Sequence, residues 1–362
     1  MALTTPSASP AVSVREIDLT GVVPNVQSTT GAIVGKFIWG PADQRVLVSN
    51  ENELVSKFGT PTDETATDFL SAAYFLKYSS ALYVVRSAGT SVNATNVSTP
   101  VAIKNQADWD ALTAPTGAIY AKYPGTLGNG IVVYIADATT FSGWTYESKF
   151  ESAPEAGELH LVVVDLNGSI AGVGEVLEAF SFVSFIKGTK TSQGANNYVS
   201  DVVNSQSSFI WMGEVAIDAE SDGVQFFDGP TSTLLSGGTD DFSGTQEYSL
   251  FSDVDTVTVD FLIASESASL VDLTSIAIGR KDCVVVASPS RDSVFAADPV
   301  SALDTWISDK TKSTYVVVDN NFLKVYDKYN DKYVFIPAAS STAGVMAASD
   351  ASTAPWLSLI HI

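Results

Sequence analysis

The sequence predicts a multi-domain α/β fold of mixed α and β character: a mixed, largely parallel sheet with flanking helices, carrying an inserted strand-rich domain. Three observations predict it. Near-continuous apolar strands alternate with helical apolar stripes in 31–86 and again in 257–318, as a sheet covered on both faces requires. A Ser/Thr/Asn/Gly stretch without periodicity, 87–100, marks a change of composition between them. With 362 residues, 45% hydrophobic and 17% charged, the chain can bury more than one core. The expected division is a flexible arm at 1–20, the first part of the α/β core at 21–88, an inserted β-rich region at 89–235, the second part of the core at 236–350, and a disordered or non-native tail at 351–362.

Met1–Pro10 is rich in Ser, Thr, Ala and Pro and has too little apolar surface to fold alone. Val12-Ser-Val-Arg-Glu-Ile-Asp18 is short and strand-competent, as an edge strand or an extended arm would be. Ala32–Phe37 has the β-branched and aromatic content of a strand, stopped by Trp39-Gly40-Pro41, and Arg45-Val-Leu-Val48 is a second short strand. Asn50 can cap a helix with Glu53 three residues on, Leu54, Val55 and Phe58 form its apolar side, and Gly59 with Pro61 closes it. Ala66, Phe69, Leu70, Ala73 and Leu76 recur at helical spacing before Leu82–Val85 returns as a buried strand.

Asn105–Leu112 suits a short helix, Tyr123-Pro-Gly-Thr-Leu-Gly-Asn129 a tight turn, and Ile131–Ile135 and Leu159–Asp165 strands. Asn167-Gly168 reads as a hairpin turn with the return beginning at Ile170. Tyr198–Val203 is a helix candidate and Phe209–Met212 an apolar segment. Beyond Leu234-Leu-Ser-Gly-Gly-Thr-Asp240 the chain alternates again: strand Val257–Ala264, helix Ala268–Ile278, strand Cys283–Ala287, a helical stripe of Val300, Leu303 and Ile307, and strand Tyr315–Val318. Tyr326–Asp331 tips a hairpin, and Ser340–Ala348 suits a small-residue helix.

Charge and residue chemistry exclude more than they assign. Nineteen basic against 41 acidic residues leave −22, which repels nucleic acid and anionic membranes. The single cysteine, Cys283, excludes an intramolecular disulfide framework, and no Cys/His spacing suggests structural zinc. Residues 1–20 lack a basic stretch followed by an apolar core, so synthesis in the cytoplasm is expected, and the sequons at Asn93 and Asn96 read as polar loop. His160 lies within an apolar strand and Cys283 beside Val284–Val286, where a structural imidazole and a small buried hydrophobe are expected; His361 belongs to the tail. Gly172 and Gly174 lack the third glycine and the lysine of a phosphate loop. Asp253, Asp255 and Asp260 lack the glycine and distal glutamate of an EF-hand loop. Ser288-Pro-Ser-Arg-Asp292 follows a parallel strand, where an α/β enzyme places its site, and Arg291 and Asp292 are the enzyme candidates; no base or anion cradle stands beside them.

The ordered motifs "Glu-x-Glu-Leu-Val-x-x-Phe-Gly-x-Pro", "Ala-Ala-x-Phe-Leu-x-Tyr" and "Leu-Tyr-Val-Val-Arg" in 51–86 resemble the N-terminal region of contractile bacteriophage tail sheath proteins. "Tyr-Pro-Gly-x-Leu-Gly-Asn" at 123–129, "Leu-Ser-Gly-Gly-x-Asp" at 235–240, "Asp-Cys-Val-Val-Val-Ala-Ser-Pro" at 282–289 and "Tyr-Asp-Lys-Tyr-Asn-Asp" at 326–331 extend the resemblance. It implies a structural virion subunit, not an enzyme, that needs no cofactor and binds no metal. Such a subunit polymerises around a tail tube, meets baseplate and terminator proteins, and contracts to drive the tube through the host envelope. The sheath of a secretion system or tailocin would share the physics. By the same resemblance, Val12, Val14, Arg15, Glu16, Ile17 and Asp18 belong to an arm that adds a strand to a neighbouring subunit, with Ala11 where glycine is usual. Family members continue beyond Trp356-Leu-Ser-Leu-Ile-His-Ile362, so a shortened form that stays monomeric or forms small oligomers is expected.

Overall fold

The structure, a computed structural model, describes residues 29–214, 232–243, 247–266, 268–308 and 310–351. The expected arm, Val12–Asp18, and the tail after Ala351 lie outside the described residues.

The chain begins with β1 (Gly31–Gly35), β2 (Val46–Val48), α1 (Glu51–Phe58), α2 (Ala66–Phe75) and β3 (Leu82–Arg86). Local chemistry sets α1: the Asn50 side chain accepts the Glu53 N–H at 2.9 Å, and Glu53 reaches back to the Ser49 N–H at 2.9 Å, so two otherwise orphaned donors are satisfied. The inserted stretch supplies α3 (Gln106–Ala111), β4 (Ile119–Ala121), β5 (Ile131–Asp137), β6 (Glu158–Asp165), β7 (Glu175–Ser184), α4 (Val199–Gln206), β8 (Ile210–Met212) and β9 (Ser232–Leu234). The chain then returns through β10 (Phe261–Ile263), α5 (Leu270–Arg280), β11 (Val284–Ala287), α6 (Arg291–Val294), α7 (Pro299–Ser308), β12 (Val316–Val318), the antiparallel hairpin β13 (Phe322–Asp327) and β14 (Lys332–Pro337), and α8 (Ala339–Asp350).

Both ends of the chain build one six-stranded sheet in the order β12-β11-β10-β1-β3-β2, parallel except at β2. Strand alternation divides β1 between two cores. Ile33 packs with α2 and α8 through Phe69, Phe75, Ala343 and Ala347, while Ala32 and Val34 pack with Leu273, Ala277 and Phe251 on the other face. Within the insert, the antiparallel sheet β7-β6-β5-β9 and the pair β4-β8 enclose a third core around Ile131, Leu161, Val199 and Ile210.

Several expectations change. The strand expected from Val257 is confined to β10; Val257 and Val259 are buried ahead of it without joining the ladder. The return after Asn167-Gly168 starts at Glu175 rather than Ile170. The Asp165 carboxylate accepts the N–H groups of Gly168, Ile170 and Ala171 at 2.9, 2.6 and 3.0 Å and organises an intervening loop. The polar-loop expectation fails at Asn93, which is buried, its side chain accepting Ile103 N–H at 2.7 Å and donating to Ala121 O at 2.8 Å. Asn93 therefore staples backbone together instead of decorating a polar loop. Finally, α7 buries none of its residues. The sheet ends at β12, and Trp306 alone among the described residues of α7 reaches the adjoining apolar core.

Candidate functional site

The enzyme candidates do not assemble a site. Ser290 caps α6 by accepting the Ser293 N–H, Ser288 accepts the Ala339 N–H at 3.2 Å, and Arg291 lies 5.1 Å over the Phe335 ring with Asp292 exposed. At the carboxyl ends of β1 and β10, where strand order reverses and open α/β sheets usually take ligands, the ground is filled. Tyr248 is buried there and its hydroxyl donates to Ile263 O at 2.8 Å. Asp68 is buried against Gly35 and accepts the Lys36 N–H at 2.8 Å, its carboxyl pushed up to about 6 by burial.

His160 is structural as expected. Its ring stacks on Phe150 at 4.1 Å, and Nδ1 accepts the Phe182 N–H at 3.1 Å, so the Nε2–H donates to Ser152 O at 2.9 Å. Burial lowers its pKa and favours this neutral form. Cys283 is buried, and burial pushes its thiol up to about 11, away from thiolate chemistry. Asp260 accepts the Thr30 N–H at 2.7 Å while Asp253 accepts the Asp255 N–H, so these carboxylates serve separate turns. Among the described residues no group of three or more His, Cys, Asp or Glu could hold a metal ion, and no helix is long and apolar enough to cross a membrane. Gly172 and Gly174 lie in the loop organised by Asp165.

What the fold does bring together is three motifs far apart in sequence. Arg86, at the end of β3, is 1% exposed and points into the seam between sheet and insert. Its Nε donates to Phe37 O at 2.7 Å, Nη1 to Gly40 O at 3.0 Å, and Nη2 to Ile38 O at 3.3 Å and Pro124 O at 2.7 Å. One planar fork thus ties the segment after β1 to the insert's Tyr123–Asn129 turn. Burial lowers the Arg86 pKa to about 10, partly opposed by Asp240, Tyr123 and Asp43, so the guanidinium stays charged at neutral pH.

The third motif locks the same turn. Asp240 accepts the Thr126 N–H at 3.2 Å and the Thr126 hydroxyl, and Asn129 and Gly238 exchange two hydrogen bonds, each 2.8 Å. Gly125 has φ +132°, and a Cβ there would lie 2.6 Å from Asp240 Oδ1; a Cβ on Gly238 would overlap the Gly125 carbonyl. Gly125 thus stands where the turn meets the Asp240 carboxylate and Gly238 where backbone meets backbone, which sequence spacing alone did not reveal.

Beside the junction lies a cleft of about 720 Å³, walled by Val46, Val55 and Lys57 on one side and Lys122, Leu127 and Phe209 on the other. Trp39 sits between the two, stacked on Phe209 at 6.4 Å and edge-on to Tyr123 at 5.3 Å. Lys122 lies 3.2 Å over the Trp211 ring, and burial lowers its pKa to about 8. No sequence signal pointed to this cleft, because its walls come from both regions.

Comparison with known proteins agrees with this architecture. The family described as "Tail sheath protein Gp18 domain III N-terminal region" matches residues 28–86. The tail sheath protein of Salmonella phage ViI is 29% identical, matching 95% of this chain and 70% of its own length; that of Enterobacteria phage T4 is 24% identical, matching 97% and 74%. Crystal structures of sheath tail proteins from Listeria innocua and Desulfitobacterium hafniense share the fold, each with a TM-score of 0.50. They are 14% and 15% identical and match 89% and 94% of this chain, which spans 56% and 62% of their lengths. From the ordered motifs of the sheet, through the junction where they converge, to matches running along nearly the whole chain, this protein is similar to the tail sheath proteins of contractile-tailed phages.

Proposed function

We propose that this chain is a structural subunit of a phage tail sheath: copies pack around a tail tube, and rearrangement of the packed copies drives the tube through the host envelope. The observation that supports this best is the Arg86 junction. A subunit that transmits force must move as a stiff body, and one buried guanidinium bonded to carbonyls of both regions, reinforced by Asp240 and the Asn129–Gly238 pair, resists hinging at the seam. Contraction then runs on differences in how rigid copies nest, with the energy stored at assembly. The proposed partners are further copies of this chain, the tube protein, and the baseplate and terminator proteins at the ends of the tail. The reading gives the chain no turnover and no cofactor.

Negative-stain microscopy of the complete gene product, alone and mixed with its tube protein, tests the proposal. Ordered cylinders of uniform width are expected. Irregular aggregates under all conditions, or turnover of a small molecule that is lost on substituting Arg291 and Asp292 without loss of stability, would overturn it.

A further inference from the structure

One face of the insert's antiparallel sheet packs on the core that holds Leu159 and Leu161; His160, between them on β6, points to the other face. The loop 138–157 covers it there. Phe150 of that loop stacks on the imidazole at 4.1 Å, Phe141 meets it edge-on at 5.4 Å, and Phe182 of β7 does so at 4.7 Å, so that the ring is fully buried. The strand register explains what the ring does in this place. Leu159 pairs with Val183 and Leu161 with Phe180, which sets Ser181 and Phe182 together against His160 alone, a bulge. Phe182 has φ +55°, rare for a bulky residue, and its N–H is taken by His160 Nδ1 at 3.1 Å. The other ring nitrogen holds the loop. Among the described residues, the backbone from Ser142 to Pro154 hydrogen-bonds outside the loop at one point, Ser152 O, which accepts from His160 Nε2 at 2.9 Å.

An imidazole that accepts on one side and donates on the other does both in one protonation state only. A proton on Nδ1 would set two N–H donors 3.1 Å apart and place a charge in a site closed to solvent, and the ring cannot turn inward because Leu159 and Leu161 fill the core beneath the sheet. The loop is the part that yields, being tied to the ring by one backbone bond and by aromatic contact. Glu158, on the same strand, favours the charged ring but is outweighed by burial; β5 presents Ala136 opposite and β7 presents Phe182. Glu147, Lys149, Glu151 and Glu155 of the loop are exposed, and the Tyr146 hydroxyl, against Tyr134, is pushed up and stays neutral. We propose that His160 is an acid-operated latch: protonation of Nδ1 breaks the Phe182 bond, and the loop 138–157 lifts off β6 and β7 to uncover Phe141, Phe150 and the imidazole. With the loop open the imidazole returns to its ordinary value near 6.5, above its buried one. The open form therefore binds the proton better, and the open-to-closed ratio rises by up to about tenfold for each pH unit below 6.5 until the buried value is reached. The latch works within one folded subunit and does not depend on the sheath reading.

Hydrogen exchange of the unaltered chain, divided at each pH by that of His160→Gln, cancels the intrinsic pH dependence of exchange and reads the latch, since glutamine keeps a donor and an acceptor but takes no proton. Between pH 6.5 and 5 the quotient for peptides covering 142–154 should rise about tenfold, with about 30-fold as the ceiling, while peptides from β1 and β3 stay level. A flat quotient, or an equal rise in β1 and β3, overturns the latch. A second measurement needs no change at the ring: His361→Ala leaves His160 the only imidazole in the chain. Its ring-proton resonances should titrate with a midpoint below 6.5 and in step with those of Phe150. A midpoint at 6.5 or above, or a titration that leaves the Phe150 signals unmoved, overturns the latch even where the glutamine variant fails to fold.

Discussion

Two buried arginines close two seams, and they do it differently. Arg280, at the end of α5, donates to Phe251 O at 2.8 Å, Asp253 O at 3.2 Å and Val257 O at 2.9 Å, and forms a two-point pair with Asp282 at 2.9 and 2.8 Å. Its carboxylate partner favours the charged form, and its pKa is raised despite burial. Arg86 holds only carbonyls, and burial lowers its pKa. The seam it closes lies deep between two regions; Arg280 closes a surface turn in which Asp253 and Asp255 are exposed. Water can replace Arg280 in part. It cannot readily reach the carbonyls around Arg86.

That contrast orders the expected effects of substitution. Arg86→Met keeps most of the side-chain volume but leaves the carbonyls of Phe37, Gly40 and Pro124 without their donor, and should cost about 3–5 kcal/mol in urea denaturation. Limited proteolysis should then release the insert from the sheet; equal protection of both regions would show that the seam does not depend on Arg86.

Asp68 extends the comparison to a buried acid with no cationic partner among its hydrogen bonds, which is instead held toward its neutral form. The folded carboxyl holds its proton up to about pH 6 and the unfolded one releases it near 3.8, so stability should fall as pH rises through that window and then level off. Asp68→Asn should flatten the profile and add up to about 3 kcal/mol at pH 7, because its amide oxygen can still accept the Lys36 N–H. Melting temperatures that keep the same pH dependence in the variant would contradict this.

Arg280→Met should cost less than Arg86→Met, about 2 kcal/mol, since its outer carbonyls rehydrate; a loss equal to that of Arg86→Met would erase the distinction between the seams. The smallest effect belongs to Asp282→Asn. Its side chain is 35% exposed, so the ion pair is partly solvated and its loss should cost less than about 1 kcal/mol, measurable as a slight drop in the denaturation midpoint.

What could be read before the fold was known is local. The Asn50 cap answers a residue three positions away, β1 and β3 follow from apolar runs bounded by turn residues, and His160 and Cys283 announce themselves as buried by their neighbours. The motifs at 123–129 and 235–240 also stood out, but only as turns. Their meeting at Arg86 depends on pairs 38 and 114 positions apart, Arg86 with Pro124 and Thr126 with Asp240, which no periodicity encodes. The same holds for Asn93, whose burial comes from strands laid around it, and for α7, whose apolar stripe predicts a covered face that the end of the sheet leaves open. Dihedral preference and the caps act within a few residues, so they are written in the order of the amino acids. The cleft and the seam arise only when segments distant in the chain close on one another, because burial, charge compensation and shape exist between surfaces that folding has first to bring face to face.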